Sequence, residues 1–313
     1  MRVPILFLAL FYILNLSYVD AESSNRYNGI IVDPHAQIDH EISDQRFIQI
    51  AQNSGVTKFV LSSIYFRHPS TIISLARQYP DLIIPAVRTK TRTYIFNPYD
   101  RERFKKELEA QSKLFAVGGM QELLGYHAIK PKHSDKEPKQ IVNSPTDKKI
   151  LIALKIAQQR GWPLLLHYEF SAPTLPLKLR NRFLTELDEL LRTNRNQPIV
   201  LTHLGQLNPH EIEHLIGVHQ NIFFTLAETN RRNSSLGFVC TFERYGILKK
   251  EWQHLFEMYP DRFVLSLDGV FKGIWVRDYG SYIEEWRVAL GNLPLEKADL
   301  IAHGNAQRLW SSL

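Results

Sequence analysis

Eight short apolar runs recur at fairly even intervals along the chain: "GIIVD" from residue 29, "KFVLSS" from 58, "LIIPAV" from 82, "LFAVGGM" from 114, "PLLLH" from 163, "PIVLTH" from 198, "IFFTLAE" from 222 and "FVLSLD" from 263. Between them the apolar positions fall at helical spacing, as in "DRERFKKELEAQSKL", "KKILIALKIAQQRG", "RFLTELDELLRTN" and "EWQHLFEMYP". Near-continuous Val, Ile and Leu, rather than strict alternation, marks strands covered on both faces, the condition inside a parallel sheet wrapped by helices. Eight such units in 313 residues predict an α/β fold of one domain, a (β/α)8 TIM barrel. A doubly wound open sheet is the rival, but no Gly-rich phosphate fingerprint follows the first run.

The amino-terminal stretch "MRVPILFLALFYILNLSYVDA" sets Arg2 ahead of an apolar block and closes on Ala21. That is the layout of a secretory signal peptide over residues 1–21, with an uncleaved anchor as the competing reading. The barrel domain is then expected over 22–313 and the mature protein outside the cytoplasm, periplasmic or secreted. No other segment is apolar for long enough to cross a bilayer, so no stable membrane insertion is expected after cleavage. The net charge is +6 and stays so when the first 21 residues are removed, a weak pointer to an anionic partner. The lysines gather in one loop rather than forming a basic stripe interleaved with aromatics, so nucleic acid is not an expected partner; a small-molecule substrate is. Cys240 stands alone, which excludes an intrachain disulfide despite the oxidising destination.

Barrel enzymes gather their chemistry at the carboxyl ends of the strands. Those ends here carry His35 and Gln37, Arg88, Glu122, His167, His203, Thr225 with Glu228, and Asp268. A divalent cation needs several donors converging from different directions, and a ring of strand ends supplies them. A single His after an apolar strand is ordinarily a hydrogen-bonded core residue. Its repetition at matching ends, joined by an Asp that is costly to bury alone, points to a cation. In "GIIVDPHAQIDH" the residues Asp33, His35 and Gln37 alternate along an extended chain and are expected to face one interior. Arg88 and Arg231, with Lys90 and Arg232, follow strands and could hold an anionic substrate, against the competing role of surface solvation. The connections 125–147 and 228–245 are long enough to be lids, although the Lys/Pro-rich middle of the first reads as a solvated loop.

A sharper motif leads elsewhere. "HEIEH" at 210–214 matches the H-E-x-x-H zinc signature. Yet Asn208, Pro209 and Glu211 spell a helix start with a capping box, and Ile212, Leu215 and Ile216 form the apolar face, which leaves His210 and His214 toward water. The pair is therefore expected to be idle. "NSS" at 233–235 fits a glycosylation acceptor at a frequency expected by chance, and His303 in "IAHGNAQRLW" has a structural reading first.

Taken in order, "IVDPHAQ", "LLLHYE", "VLTHLG", "LSLDG" and "GNAQRLW" resemble the amidohydrolase superfamily, specifically its amidohydrolase-related metal-dependent hydrolases, from about residue 29 to the end. The resemblance implies a divalent metal cofactor, zinc first, with His35, Gln37, Glu122, His167, His203 and Asp268 as the ligand set. In such enzymes the first strand ends in D-x-H-x-H; this chain has Gln37 at the last position, which puts metal number and identity in question. It also implies Asp268 and His203 in catalysis, Asp33 as an orienter of a ligand, and hydrolysis of an amide, lactone or ester-like bond by metal-activated water. A decarboxylase of the same fold and a non-catalytic ligand-binding barrel are the alternatives, with a phosphoester nuclease behind them.

Overall fold

The computed structural model describes residues 26–90, 100–114, 117–129, 140–234 and 237–310; the expected signal segment lies outside the described residues. Strands β1 (Val32–Ile38), β2 (Lys58–Ser63), β3 (Ile83–Val87) and β4 (Gly119–Met120) pair in parallel, in that order. A second sheet runs β10 (Phe263–Val264), β9 (Ile222–Thr225), β8 (Ile199–Leu201), β7 (Leu164–Tyr168), β5 (Leu123–His127), again in parallel, and ends on the antiparallel β6 (Ile141–Val142). β4 and β5 are two halves of one strand broken at Gln121 and Glu122, so the sheets meet there. On the far side the Gln37 amide donates to the Gly269 carbonyl at 2.8 Å, which closes the ring. The expected (β/α)8 barrel is the fold.

Two strands differ from their expected extents. The fourth begins late: Leu114 lies in an exposed bend, and the strand starts at Gly119, breaks at the polar pair Gln121 and Glu122, and resumes over Leu123–His127. The eighth keeps only Phe263 and Val264 in the ladder. Beyond them, the Leu267 amide is taken by the Asp33 carboxylate at 3.3 Å instead of by a neighbouring carbonyl.

The helices cover the outside for ordinary reasons. Lys148–Arg160 starts at Asp147, whose carboxylate accepts from the Lys149 amide, and stops at Gly161, where φ is 68° and a side chain would be strained. At the amino end of the barrel, Val32, Val60, Ile84, Leu165, Val200, Phe223 and Val264 form one apolar layer sealed by Leu309 and Trp310. Gly119 belongs to this layer without a side chain, because a Cβ there would lie 3.1 Å from the Trp310 indole. The plug leaves the opposite end for polar groups. Among the described residues no helix is long and apolar enough to cross a membrane.

Candidate metal centre

β1 does not deliver Asp33, His35 and Gln37 to one side. Between Asp33 and Ala36 the pairing with β2 gains an extra residue, a bulge that reverses the in-and-out alternation. Asp33 therefore points outward, with one oxygen accepting from the His35 amide at 3.1 Å and the Leu267 amide, and the other from the Tyr279 hydroxyl at 2.7 Å. It holds the barrel seam and the backbone of His35, not a ring nitrogen. Past the bulge, His35 and Gln37 both reach the interior, fully buried.

Glu122 is the point on which the interior groups converge. Its Oε2 accepts from the Thr202 hydroxyl at 2.7 Å, lies 3.1 Å from His167 Nδ1, and faces His203 Nε2 at 3.5 Å and His35 Nε2 at 3.6 Å. Its other oxygen, Oε1, is held by the Lys90 ammonium. Asp268 stands on the opposite wall, 3.3 Å from His35 Nε2 and 3.7 Å from His203 Nε2. Gln37 donates its amide to Asp268 Oδ1 at 2.8 Å. The reversed amide would set oxygen against carboxylate, so the donating orientation is the chemically sensible one. Gln37 thus serves as a partner of Asp268 rather than as the metal donor expected of it.

The other two walls come from β7 and β8. His167 Nε2 lies 3.0 Å from Glu169 Oε1, and His127 offers a further nitrogen within ligand range of both. Glu169 and His127 escaped the sequence reading. Glu169 is two residues past His167 and shares its face of the strand, a period-2 clue that was present. His127 was hidden by placing the fourth strand too early. At β8 the chain turns through positive φ at His203 (54°), Leu204 (59°) and Gln206 (54°), and Glu228 and Asp268 also sit at φ of 59° and 48°. Left-handed backbone at non-glycine residues is strained and clusters at functional sites. His203 Nδ1 is committed to the Ala227 carbonyl at 3.1 Å, which turns Nε2 inward, where it has no hydrogen-bond partner among the described residues.

The electrostatics match this crowding. Burial opposes the charge on Glu122, but Lys90, His35 and His167 outweigh it and hold its carboxyl well below the usual range. Burial likewise opposes charge on His35, His167 and His203, and the facing carboxylates reverse that and raise all three. Glu228, 4.0 Å from His203 Nδ1, is pushed up by burial.

The remaining candidates lie apart. Arg88 is turned away from the centre: its guanidinium donates to the carbonyls of Tyr65 and Arg67 at 3.2 and 2.8 Å, so it fixes the loop after β2 instead of meeting a substrate. Arg231 is exposed on the short helix Arg231–Ser234, outside the cluster, and solvation explains it. His210 and His214 are exposed and the Asn208–Glu211 capping box is formed, as the helix reading requires. His303 bonds Gln307 at 3.0 Å on its own helix. Of the lid candidates, 228–245 brings Phe238 edge-on to His203 with centroids 5.8 Å apart. The other begins in the β5–β6 hairpin and runs on to the Asp147 cap of the next helix, and 130–139 lie outside the described residues.

A scan of protein-family models finds no match to the chain, and a search of curated proteins likewise finds none. Solved structures do resemble it. The 4-oxalomesaconate hydratase of Rhodopseudomonas palustris aligns with a TM-score of 0.58 at 14% identity, over 90% of this chain and 96% of that one. A 5-carboxyvanillate decarboxylase of Novosphingobium aromaticivorans, with bound manganese, aligns at 0.52 and 13%, over 91% and 97%. The dihydroorotase of Campylobacter jejuni aligns at 0.53 and 13%, over 90% and 83%. The likeness is one of fold, and a further structure that aligns with a TM-score of 0.54 at 12% identity is an uncharacterized TIM-barrel protein of Bordetella bronchiseptica.

Proposed function

We propose that this chain is a divalent-metal-dependent hydrolase of the amidohydrolase type, acting on a C–N, lactone or ester-like bond of a small substrate. The observation that carries the reading is His203 Nε2. It is buried, lacks a hydrogen-bond partner among the described residues, and is aimed at two carboxylates that stand 3.5 and 3.7 Å away. An imidazole locked in that tautomer presents a lone pair, and a lone pair among buried carboxylates fits a cation. Glu122, His167 and His203 would hold it, with Asp268 and His35 alongside. Nitrogen and oxygen donors of this kind suit zinc; the bound manganese of the decarboxylase neighbour supports that ion as the second choice.

A divalent ion so held supplies Lewis acidity, polarising a carbonyl and easing ionisation of water. The chain supplies the rest. Asp268 has Oδ1 occupied by Gln37, which leaves Oδ2 to take a proton from the attacking water and return it to the leaving group. Lys90 keeps Glu122 charged, and Phe238 covers the outer side of His203 and limits water there. Decarboxylation at the same residues is the second reading, supported by the 5-carboxyvanillate decarboxylase neighbour.

Elemental analysis of purified protein, followed by assays on amides, lactones and aromatic acids, tests this directly. Replacing Asp268 with Asn is expected to lower kcat by roughly 100- to 10,000-fold while metal content is kept. A fully active Asp268→Asn variant, or wild-type protein that neither contains nor takes up a divalent metal, removes the proposal. Export rests on the Arg2-plus-apolar pattern of residues 1–21. Amino-terminal sequencing of the protein recovered outside the cytoplasm is expected to begin at Glu22.

A further inference from the structure

We propose that the Lys90 ammonium takes the place of a second metal cation, so that the centre holds a single ion between Glu122, His167 and His203. The inference rests on the metal-dependent reading above and adds to it the number and position of the ion. Among the described residues four three-residue groups have ligand geometry; His127 with His167 and Glu169, and His203 with Glu228 and Asp268, each draw on a histidine of the group Glu122, His167 and His203, which leaves His35 with Glu122 and Asp268 as the second candidate. The two candidates share Glu122, so filling both requires that carboxylate to bridge, either with one oxygen to each ion or with a single oxygen crowded between two dications.

Only one oxygen is available. Oε2 faces both groups, with His167 Nδ1 at 3.1 Å and His203 Nε2 at 3.5 Å on one side and His35 Nε2 at 3.6 Å on the other, while Oε1 is occupied by Lys90. The second group is closed from its own side as well. Gln37 donates to Asp268 Oδ1 at 2.8 Å, and its amide nitrogen lies 3.5 Å from His35 Nε2, where an imidazole at position 37 would have offered a lone pair. An amide N–H has none to offer a cation.

Lys90 is no loose surface side chain swung inward. The residues that lead into it, and its own backbone, are pinned. The Arg88 amide donates to the Gln111 side chain at 2.9 Å, the Thr89 hydroxyl donates to the Glu122 carbonyl at 2.5 Å, and the Lys90 carbonyl accepts from the Tyr65 amide at 3.2 Å. The residue is buried, and its charge is fixed against the carboxylate two metals would have to share. Gln37 and Lys90 therefore act as a pair: one removes a ligand, and the other supplies the positive charge that the missing ion would have brought.

The test is a metal count on stripped, full-length mature protein reloaded with zinc chloride or manganese chloride and freed of excess salt. Wild type is expected to retain about one ion per chain, and the double variant Gln37→His with Lys90→Gln about two. Anomalous diffraction from loaded wild-type crystals is expected to give a single peak beside Glu122, His167 and His203, with Lys90 still on Glu122. About two ions in wild type, a lone peak between His35 and Asp268, or a folded double variant that still holds one ion overturns the inference. Should the double variant fail to fold, the wild-type count and peak position decide. A wild type that binds no ion at all removes the metal reading itself, so the two failures are told apart.

Discussion

The two ends of this barrel are built by the same strands under opposite rules. At the amino end each strand contributes an aliphatic or aromatic side chain, or in Gly119 none at all, and Trp310 fills the middle. At the carboxyl end the inward positions are Glu, His, Asp, Lys and Gln, every one buried. The first end is stable because its groups prefer one another to water. The second persists only because each charge has a counter-charge, and because the rest of the fold carries left-handed backbone at His203, Glu228 and Asp268, each costing about 1–3 kcal/mol. One end holds the fold; the other spends part of that stability on a site.

The largest expected effects separate the ends cleanly. Trp310→Ala should cost about 3–5 kcal/mol in denaturant unfolding and leave metal affinity as it was. Glu122→Gln in the metal-free protein should cost a similar amount, about 3–5 kcal/mol, because Lys90 is left buried without its carboxylate, and it should also abolish tight metal binding. A Trp310→Ala protein that loses metal affinity tenfold, or a Glu122→Gln protein destabilised by under about 1 kcal/mol, would erase the distinction.

A smaller effect follows from titration, since the apolar plug has nothing to titrate and the mouth has much. The raised values of His35, His167 and His203, set by facing carboxylates against the opposing pull of burial, give a stabilising contribution that is complete below the ordinary histidine value of 6.5 and lost as pH climbs through the raised values. Glu122, depressed chiefly by Lys90 against the penalty of burial, contributes above its ordinary 4.5 and loses that as pH falls toward its lowered value. The metal-free protein is therefore expected to draw most from its mouth between about pH 4.5 and 6.5 and to lose stability above it. Zinc should reverse the upper limb, because cation and proton compete for the same nitrogens, with affinity rising up to about tenfold per pH unit for each proton displaced. Thermal unfolding from about pH 5 to 9, with and without zinc, reads both limbs; a metal-free protein that gains stability between pH 6.5 and 8.5 contradicts the expected sign.

Much of the fold was legible because buried parallel strands write themselves as unbroken apolar runs. The strand that was misplaced is the one that breaks that rule: "LFAVGGM" looked complete, while the real strand is interrupted at Gln121 and Glu122 and resumes at Leu123, and the polarity of that pair belongs to the site and masks the second half. His35, Glu122, His167, His203 and Asp268 could be named from their places at strand ends, and the structure brings them together. The role of Asp33 could not, because a bulge inserts one residue and the period-2 pattern carries no mark of it. Nor could the use of Gln37 and Lys90 against the carboxylates, since which neighbour a polar side chain takes is decided by strands far away in sequence. Arg88 was misjudged for the same reason: its charge suggested a ligand, whereas nearby carbonyls were better placed to satisfy it.

The smallest expected effect concerns the histidines that look most like a site on paper. His210 and His214 are four residues apart on one helix, the spacing of a zinc motif, while His167 and His203 share no local pattern. Spacing along a helix fixes only that two side chains share a face; which way the face looks is decided by the apolar residues on the other side. Here Ile212, Leu215 and Ile216 are buried, so the histidines look outward, and Glu211 is used twice over, by Asn208 in the cap and by Arg180 in an ion pair. Replacing both histidines with Ala should therefore change stability by no more than about 0.5 kcal/mol, with metal content and turnover unaltered. A loss of bound metal in that variant would mean that the ion sits on the outer helix and not at the mouth. Every distance measured around Glu122 would then describe a structural charge cluster.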